Sequence, residues 1–212
     1  MDEQAAREWL AQQCHVSRET IGRLDKFAQL LDEENKRQNL VAEPTLNSVW
    51  ARHIVDSAQL FPLGRGSDRW LDLGSGAGFP GLVIAVLGAS VTLIEERRLR
   101  ADFLARAADV LEVSERVEIV RGRVESYQAP PFATISARAF APLDRLFGVA
   151  AHLAAPQTRW VLPKGRNAKS ELEAAQASWQ GEFRLEPSVT DADAMIIVAE
   201  RVRRKSRGKQ AR

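Results

Sequence analysis

A glycine-rich segment joins a predicted strand to a predicted helix. It reads Asp-Leu-Gly-Ser-Gly-Ala-Gly-Phe-Pro-Gly over residues 72–81 and follows an apolar run over 69–73. Glycines let the backbone turn sharply after the strand and leave room for a nucleotide-like ligand, while the following helix presents free N–H groups. The spacing therefore predicts a ligand at the carboxyl end of the first strand.

Two ligands are compatible with this turn. Residues 76–81 satisfy the glycine spacing of dinucleotide-binding proteins, and a nicotinamide-dependent oxidoreductase is the first alternative. Asp72 before the turn and the alternation of Gly74, Gly76 and Gly78 instead resemble the first motif of Rossmann-like methyltransferases. Bulky residues at 79–80 occupy the helix start that a pyrophosphate needs clear. We therefore favour S-adenosylmethionine, with S-adenosylhomocysteine as its product.

Polar side chains follow the next three predicted strands. Glu95 ends the second strand about twenty residues after the glycine turn, where an acid can accept hydrogen bonds from both ribose hydroxyls. Val124 and Glu125 follow the third strand, in the loop that borders the adenine in this architecture. Arg138 follows the fourth strand and can hold the cofactor carboxylate or an RNA phosphate. The alternative for Glu95 is a surface acid, and that for Val124 and Glu125 is an ordinary polar loop. We expect Phe140 to pack in the core.

The hydrophobic pattern predicts an α/β protein. Helices are expected up to about residue 61, with a cap at Ser17 and a third helix over 46–61. Helices over 81–87, 97–111, 143–153 and 169–179 then alternate with strands over 69–73, 91–95, 117–121, 132–137, 158–162, 182–187 and 194–201. The last connection is too short for a helical crossover. We expect a mostly parallel seven-stranded sheet with an antiparallel terminal hairpin, in a Rossmann-like class I methyltransferase fold.

Length and composition limit the organisation of the chain. The 212 residues can bury one core, so we expect a helical segment over 1–64, a catalytic domain over 65–200 and a disordered basic tail over 201–212. That tail carries Arg201, Arg203, Arg204, Lys205, Arg207, Lys209 and Arg212 without an acid, a composition that attracts phosphate backbones. No membrane span or signal peptide is recognisable, and Cys14 stands alone. We expect a cytoplasmic protein without a metal site.

Missing motifs restrict the methylated atom. No Asn-Pro-Pro-Tyr-like turn, which often accompanies methylation of exocyclic amines, follows the fourth strand, and no cysteine nucleophile for a pyrimidine carbon lies there. The N7 atom of guanine fits, because its lone pair can attack a methyl group without prior deprotonation. Catalysis is then positioning and electrostatics, and no general base is expected.

The chain as a whole resembles the bacterial 16S ribosomal RNA guanine-N7 methyltransferases, the glucose-inhibited division B family. The resemblance covers nearly the whole sequence. It rests on Asn35, Asn39-Leu40, Arg52-His53-Ile54, Asp56-Ser57, residues 74–81, Leu93-Ile94-Glu95, Phe103-Leu104, Arg123, Glu125, Arg138-Ala139 and Lys164-Gly165. It implies methylation of one guanine N7 in the 530 loop, with 16S ribosomal RNA or the small subunit as partner. It also implies cofactor contacts at Gly74, Phe79, Val124, Glu125 and Arg138.

The same resemblance implies roles outside the glycine turn. His53 and Asp56 share a predicted helix face, and with Arg52 they are expected at the mouth of the cofactor pocket, where Arg52 and His53 meet RNA phosphate. Lys164 is expected to flank the pocket from the far side. With Arg138, His53 and Lys164 form the predicted catalytic set, acting by positioning or RNA contact. The alternatives are that His53 and Asp56 form a satisfied surface pair and that Lys164 is an ordinary loop lysine.

Some positions depart from the family pattern. Glu34 stands where the family usually has tryptophan, and Ala133 replaces the customary aspartate, so we expect less polar support near the cofactor in the fourth strand. We expect a monomer. A noncatalytic RNA-binding protein that keeps a methyltransferase fold is the remaining alternative, since a fold alone does not establish an activity.

Overall fold

The sheet has seven strands in the order β3-β2-β1-β4-β5-β7-β6. In a computed structural model, which describes residues 1–66 and 69–206, the strands are β1 (Trp70–Leu73), β2 (Val91–Glu95), β3 (Val117–Arg121), β4 (Thr134–Ser136), β5 (Arg159–Lys164), β6 (Trp179–Pro187) and β7 (Met195–Arg204). Strands β1 to β5 pair in parallel, and β7 is antiparallel to both neighbours. The predicted parallel sheet with a terminal antiparallel hairpin is confirmed.

Helices cover both faces of this sheet. They are α1 (Glu3–Gln13), α2 (Arg18–Gln38), α3 (Asp56–Ala58), α4 (Gly81–Val86), α5 (Arg98–Val110), α6 (Leu143–Ala150) and α7 (Ala168–Ala175). The Ser17 hydroxyl accepts the Thr20 N–H and caps α2, as predicted. Among the described residues, no helix is long and apolar enough to cross a membrane.

Alternation along the strands divides the core in two. In β1, Trp70 faces a cluster built from α4, α5 and the amino-terminal helices, whereas Leu71 faces a second cluster beneath α6 and α7. Leu24, Phe27 and Trp50 belong to the first cluster. The amino-terminal helices are therefore part of one layer of the fold, because their apolar faces are buried against the same face of the sheet.

The helical stretch predicted over 46–61 is present, but it is not one α-helix. The chain instead forms a 3₁₀ turn (Glu43–Ser48), a π-helical turn (Trp50–Val55) and the short α3. The Glu3 carboxylate accepts the backbone N–H groups of Trp50 (3.1 Å) and Ala51 (3.0 Å). These contacts satisfy donors that a continuous α-helix would have bonded internally, so a partner far away in sequence decides the local structure.

The start of the basic tail is ordered, contrary to prediction. Strand β7 continues through Arg204, which pairs with Trp179 of β6, and the Lys205 N–H donates to the Ser178 carbonyl (2.8 Å). A bulge opposite Gly181 places Arg201 at φ 54°, at the residue where the strand was predicted to end. Residues 207–212 of the predicted tail lie outside the described residues.

The unusual Glu34 joins α2 to α5. Its buried carboxylate accepts hydrogen bonds from the Arg106 guanidinium (2.6 Å) and the Gln38 amide (2.7 Å). Burial alone would raise the pKa of Glu34, but the hydrogen bonds from Arg106 and Gln38 outweigh it and lower that pKa. An ion pair thus occupies the position where the family pattern has an aromatic side chain.

Close packing at the start of α4 gives a test of the fold. A Cβ at Gly81 would lie 2.2 Å from the Leu93 side chain, whereas one at Gly148 in α6 would meet no atom within 4 Å. We expect Gly81→Ala to lower the free energy of unfolding by about 1–3 kcal/mol through overpacking. Gly148→Ala, its matched control, should raise stability by about 0.5–1 kcal/mol. Urea denaturation measures both, and equal effects of the two substitutions would contradict the packing argument.

Candidate active site

The glycine turn is held by the end of strand β2. The Ile94 carbonyl accepts the N–H groups of Gly74 (2.9 Å) and Ser75 (3.1 Å), and the Glu95 carboxylate accepts those of Gly76 (3.0 Å) and Arg97 (2.8 Å). Gly74 has φ +66°, a conformation that side chains rarely adopt. The acid predicted to bind ribose therefore also fixes the shape of the turn.

Asp72 lies fully buried beneath this turn. One carboxylate oxygen accepts the Ser136 hydroxyl (2.9 Å) from β4, and the other accepts the Gly81 N–H (3.3 Å) at the start of α4. The Trp70 indole N–H donates in turn to the Ser136 oxygen (2.9 Å). Burial raises the pKa of Asp72 to about 6, although these hydrogen bonds oppose the shift.

A cavity of about 300 Å³ opens beside the turn. We call it the glycine-turn cavity; its lining includes Gly74, Glu95, Arg100, Val124, Glu125, Ala139 and Phe140. The carboxyl ends of β1, β2 and β3 thus bring together four of the predicted cofactor-binding residues, namely Gly74, Glu95, Val124 and Glu125.

A second cavity, of about 520 Å³, lies on the other side of the segment after β4. We call it the arginine cavity; its lining includes Thr45, Arg52, His53, Asp56, Arg138, Ala139, Lys164 and Asp191. It holds the whole predicted catalytic set of Arg138, His53 and Lys164. Ala139 lines both cavities and has φ 52°, a strained conformation for a residue with a side chain.

Arg138 is fixed by acceptors on the π-helical turn and at the start of α3. Its Nη1 donates to the Arg52 carbonyl (3.2 Å) and to His53 Nδ1 (2.9 Å), and it lies 3.6 Å from an Asp56 carboxylate oxygen. The guanidinium also covers the Phe79 ring at 5.0 Å from its centroid. Only 20% of the Arg138 side chain is exposed, and this burial lowers its pKa.

His53 is a neutral hydrogen-bond relay. Burial, followed by the charges of Arg138 and Arg52, lowers its pKa to about 3. Since Nδ1 accepts from Arg138, the proton lies on Nε2, which donates to the Thr45 hydroxyl (2.8 Å). The ring stacks on Phe79 at 5.1 Å. Both ring nitrogens are therefore occupied within the protein.

Lys164 crosses from β5 to α7. Its ammonium group donates to Glu171 (2.7 Å) and to the Ala141 carbonyl (3.1 Å), and only 14% of the side chain is exposed. The Glu171 carboxylate also accepts the Leu143 N–H (2.6 Å) at the start of α6. Lys164 thus flanks the site as an ion-paired side chain.

Not all predicted cofactor contacts line the glycine-turn cavity. Gly76 and Gly78 shape the turn, and Phe79 is buried between His53, Arg138 and Phe27. Arg138 lines only the arginine cavity. The structure therefore places Phe79 beneath the Arg138 guanidinium rather than in the glycine-turn cavity.

Three features of the site escaped the sequence reasoning. Phe140 packs against the second core cluster, as expected, but it is only half-buried and its ring also covers Gly74. Thr45 of the 3₁₀ turn and Asp191 of the loop after β6 reach the arginine cavity from segments that carry no periodic signal. Ala133 was expected to reduce polar support near the cofactor. This expectation is wrong, because Ala133 precedes β4 and lies at the end of the strand away from the cofactor site.

Solved structures with the same architecture are methyltransferases. The glycopeptide N-methyltransferase MtfA bound to S-adenosyl-L-homocysteine matches 70% of this chain and 89% of its own, with a TM-score of 0.61 and 11% identity. An O-methyltransferase from Bacillus cereus matches 92% of this chain and 97% of its own, with a TM-score of 0.60 and 14% identity. The chain therefore has the class I methyltransferase fold, as predicted.

Sequence comparison identifies the family within that fold. The family model described as "GidB: rRNA small subunit methyltransferase G" matches residues 20–195. The ribosomal RNA small subunit methyltransferase G of Rhizorhabdus wittichii is 49% identical over 100% of this chain and 99% of its own. That of Novosphingobium aromaticivorans is 51% identical over 91% and 86%, respectively. The chain belongs to the rRNA small subunit methyltransferase G family, which confirms the family inferred from its motifs.

The buried Asp72 predicts a pH-dependent contribution to stability. Its folded pKa of about 6 lies above the value of about 4 in an unfolded chain, so the folded state binds the extra proton between these values. We expect the stability of the wild type relative to Asp72→Asn to fall by about 3 kcal/mol as pH rises from about 4 to 6, and to be constant above. Urea denaturation across this range measures the difference; a pH-independent difference would rule out a raised pKa.

Proposed function

We propose that this chain transfers a methyl group from S-adenosylmethionine to N7 of a single guanine in the 530 loop of 16S ribosomal RNA. Membership of the rRNA small subunit methyltransferase G family supports the reaction class and the RNA. The choice of N7 depends on the chemistry of the arginine cavity. In this proposal the cofactor binds in the glycine-turn cavity and the guanine enters the arginine cavity.

The state of His53 is the observation that carries the N7 assignment. A general base needs a free lone pair, but His53 Nδ1 accepts from Arg138 and Nε2 is bonded to Thr45. The Lys164 ammonium group is ion-paired with Glu171 at 2.7 Å. A target atom that must lose a proton is poorly served by these groups. Guanine N7 has a free lone pair in the neutral base, so it needs no base.

The glycine-turn cavity fits the cofactor. Its volume of about 300 Å³ lies at the lower end of the range for small-molecule sites. Glu95 Oε2 accepts the Gly76 N–H of the turn and Oε1 accepts the Arg97 N–H, so each oxygen keeps acceptor capacity for a ribose hydroxyl. Val124 supplies an apolar wall for adenine, and Glu125 lies beside it. The bound cofactor supplies an electrophilic methyl group on a sulfonium.

The protein contributes positioning and electrostatics to the reaction. Ala139 borders both cavities, so the two reactants meet across this residue. Arg138 presents a fixed guanidinium at the arginine cavity and holds RNA phosphate or the base edge in line with the methyl group. Arg52 lies at the same opening, and the exposed half of its side chain can meet an RNA phosphate.

The wider context is part of the proposal. The enzyme acts in the cytoplasm as a monomer on the small subunit or its RNA. The exposed arginines at the end of β7, Arg203 and Arg204, add affinity for phosphate without reading sequence. The division into a helical segment, a catalytic domain and a basic tail is kept in outline, with β7 extending the catalytic domain to Arg204.

The ribose role of Glu95 can be tested against a carboxylate outside the cavity. We expect Glu95→Gln to raise the Kd for S-adenosylmethionine about tenfold, because an acceptor for the ribose hydroxyls is lost. Glu115→Gln, the control, removes an exposed carboxylate that does not line the glycine-turn cavity and should change the Kd less than about twofold. Isothermal titration gives both constants, and equal effects of the two substitutions would exclude a specific role for Glu95.

Product analysis tests the whole proposal. Purified protein, 30S subunits and labelled S-adenosylmethionine should give 7-methylguanosine as the sole labelled nucleoside. Because no base titrates, kcat should stay level from about pH 6 to 9. Another methylated nucleoside would overturn the N7 assignment. Binding of S-adenosylmethionine without transfer to RNA would instead favour a noncatalytic RNA-binding protein.

A further inference from the structure

We propose that Asp56 is a positioning residue for Arg138, and that the loop between β6 and β7, residues 188–193, holds Asp56 in place. This inference rests on the proposed function, in which Arg138 orients the RNA. It assigns a role to a loop that lies 50 residues or more beyond Arg138 in the sequence. The loop contacts the segment around Asp56 through several hydrogen bonds.

The two oxygens of Asp56 face different partners. Oδ2 lies 3.6 Å from Arg138 Nη1, whereas Oδ1 accepts the Thr190 hydroxyl (2.9 Å) and the Gln59 amide (2.9 Å). Gln59 is itself held by the loop, because its Oε1 accepts the Val189 N–H (2.8 Å) and its Nε2 donates to Ser188 Oγ (3.1 Å). The loop thus fixes the rotation of the carboxylate.

Electrostatics explain why Arg138 needs this carboxylate. The guanidinium is largely buried, and the nearby charge of Arg52 opposes its own. Asp56 is the carboxylate that most strongly favours the Arg138 cation, ahead of Asp72. The remaining polar partners of Arg138, the Arg52 carbonyl and His53 Nδ1, are neutral acceptors. A displaced Asp56 would therefore leave a poorly compensated buried cation, which would move toward water.

The same loop also pairs the positive charge of Arg52, which opposes the charge of Arg138. Asp191 accepts from the Arg52 guanidinium at 3.1 Å, whereas Arg138 contacts the Arg52 backbone carbonyl. This pair is half-exposed and adds little stability. It nevertheless keeps the Arg52 charge paired. Thr190 and Asp191 thus act together on the position of Arg138.

Thr190 offers a test with nearly unchanged shape. Thr190→Val removes the hydroxyl and keeps the side-chain volume, and Thr190→Ser keeps the hydroxyl. We expect kcat for methylation of 30S subunits to fall about tenfold in the valine variant, with the Kd for S-adenosylmethionine unchanged within about twofold, and to recover in the serine variant. Asp193→Asn, the control, alters an exposed carboxylate of the same loop that bonds neither Asp56 nor Arg52 and should leave kcat unchanged.

Two further measurements separate positioning from a loss of stability. In an Arg138→Lys background, Thr190→Val should lower kcat by less than about twofold, because the group it positions is gone. The NMR signals of the Arg138 guanidinium N–H groups should be protected from solvent exchange in the wild type and lose that protection in Thr190→Val. This second readout requires no substrate and stands even if the protein methylates another atom.

Each result decides the proposal. Reduced kcat with loss of guanidinium protection, both restored by serine, supports it. A variant that is less stable to urea but keeps wild-type kcat and protection shows that the loop contact is only structural and overturns it. Equal effects of Thr190→Val in the wild-type and Arg138→Lys backgrounds also overturn it, because the loop then acts through another group.

Discussion

A buried carboxylate holds three parts of this fold together. Asp72 projects from β1, accepts the Ser136 hydroxyl from β4 and accepts the first N–H of α4. Removing a carboxylate from water is costly, and the raised pKa of Asp72 records that cost. In return, the glycine turn above Asp72 is anchored at both of its ends. The cofactor-binding edge of the sheet therefore depends on a side chain that lines neither the glycine-turn cavity nor the arginine cavity.

Ala139 lies between two groups that the protein holds rigidly, the glycine turn and the Arg138 guanidinium. On one side, β2 and Glu95 fix the glycine turn through backbone hydrogen bonds. On the other, His53, Asp56 and the Arg52 carbonyl fix the Arg138 guanidinium. A reaction that needs alignment more than proton transfer benefits from such rigidity, because little reorganisation remains when the reactants meet. The neutral His53 fits this arrangement as an acceptor within the network.

Sequence periodicity predicted the frame of the site but not its cross-links. Strands β2 and β3 begin and end at the predicted residues, so Glu95 lies at the end of β2 and Val124 follows β3, as expected. The contacts of Glu3 with Trp50 and of Asp191 with Arg52 join residues far apart in sequence, and no local pattern encodes them. The same limit explains why the helical stretch over 46–61 is not one α-helix, and why β7 is longer than predicted, with a bulge at Arg201 opposite Gly181 of β6. The position of the Phe79 ring likewise depends on side-chain burial, because the ring packs beneath the Arg138 guanidinium.

The shared core beneath the amino-terminal helices bears on how substrate choice can evolve. Leu24, Phe27 and Trp50 pack in one cluster with α4, α5 and the sheet, and Glu34 links α2 to α5 by an ion pair. A recognition module joined by a flexible linker can be exchanged without exposing the core of the catalytic domain. Here, removing the amino-terminal helices would uncover one face of the sheet. Engineering of a new target in this chain is therefore better directed at side chains and loops around the two cavities than at exchange of its amino-terminal segment.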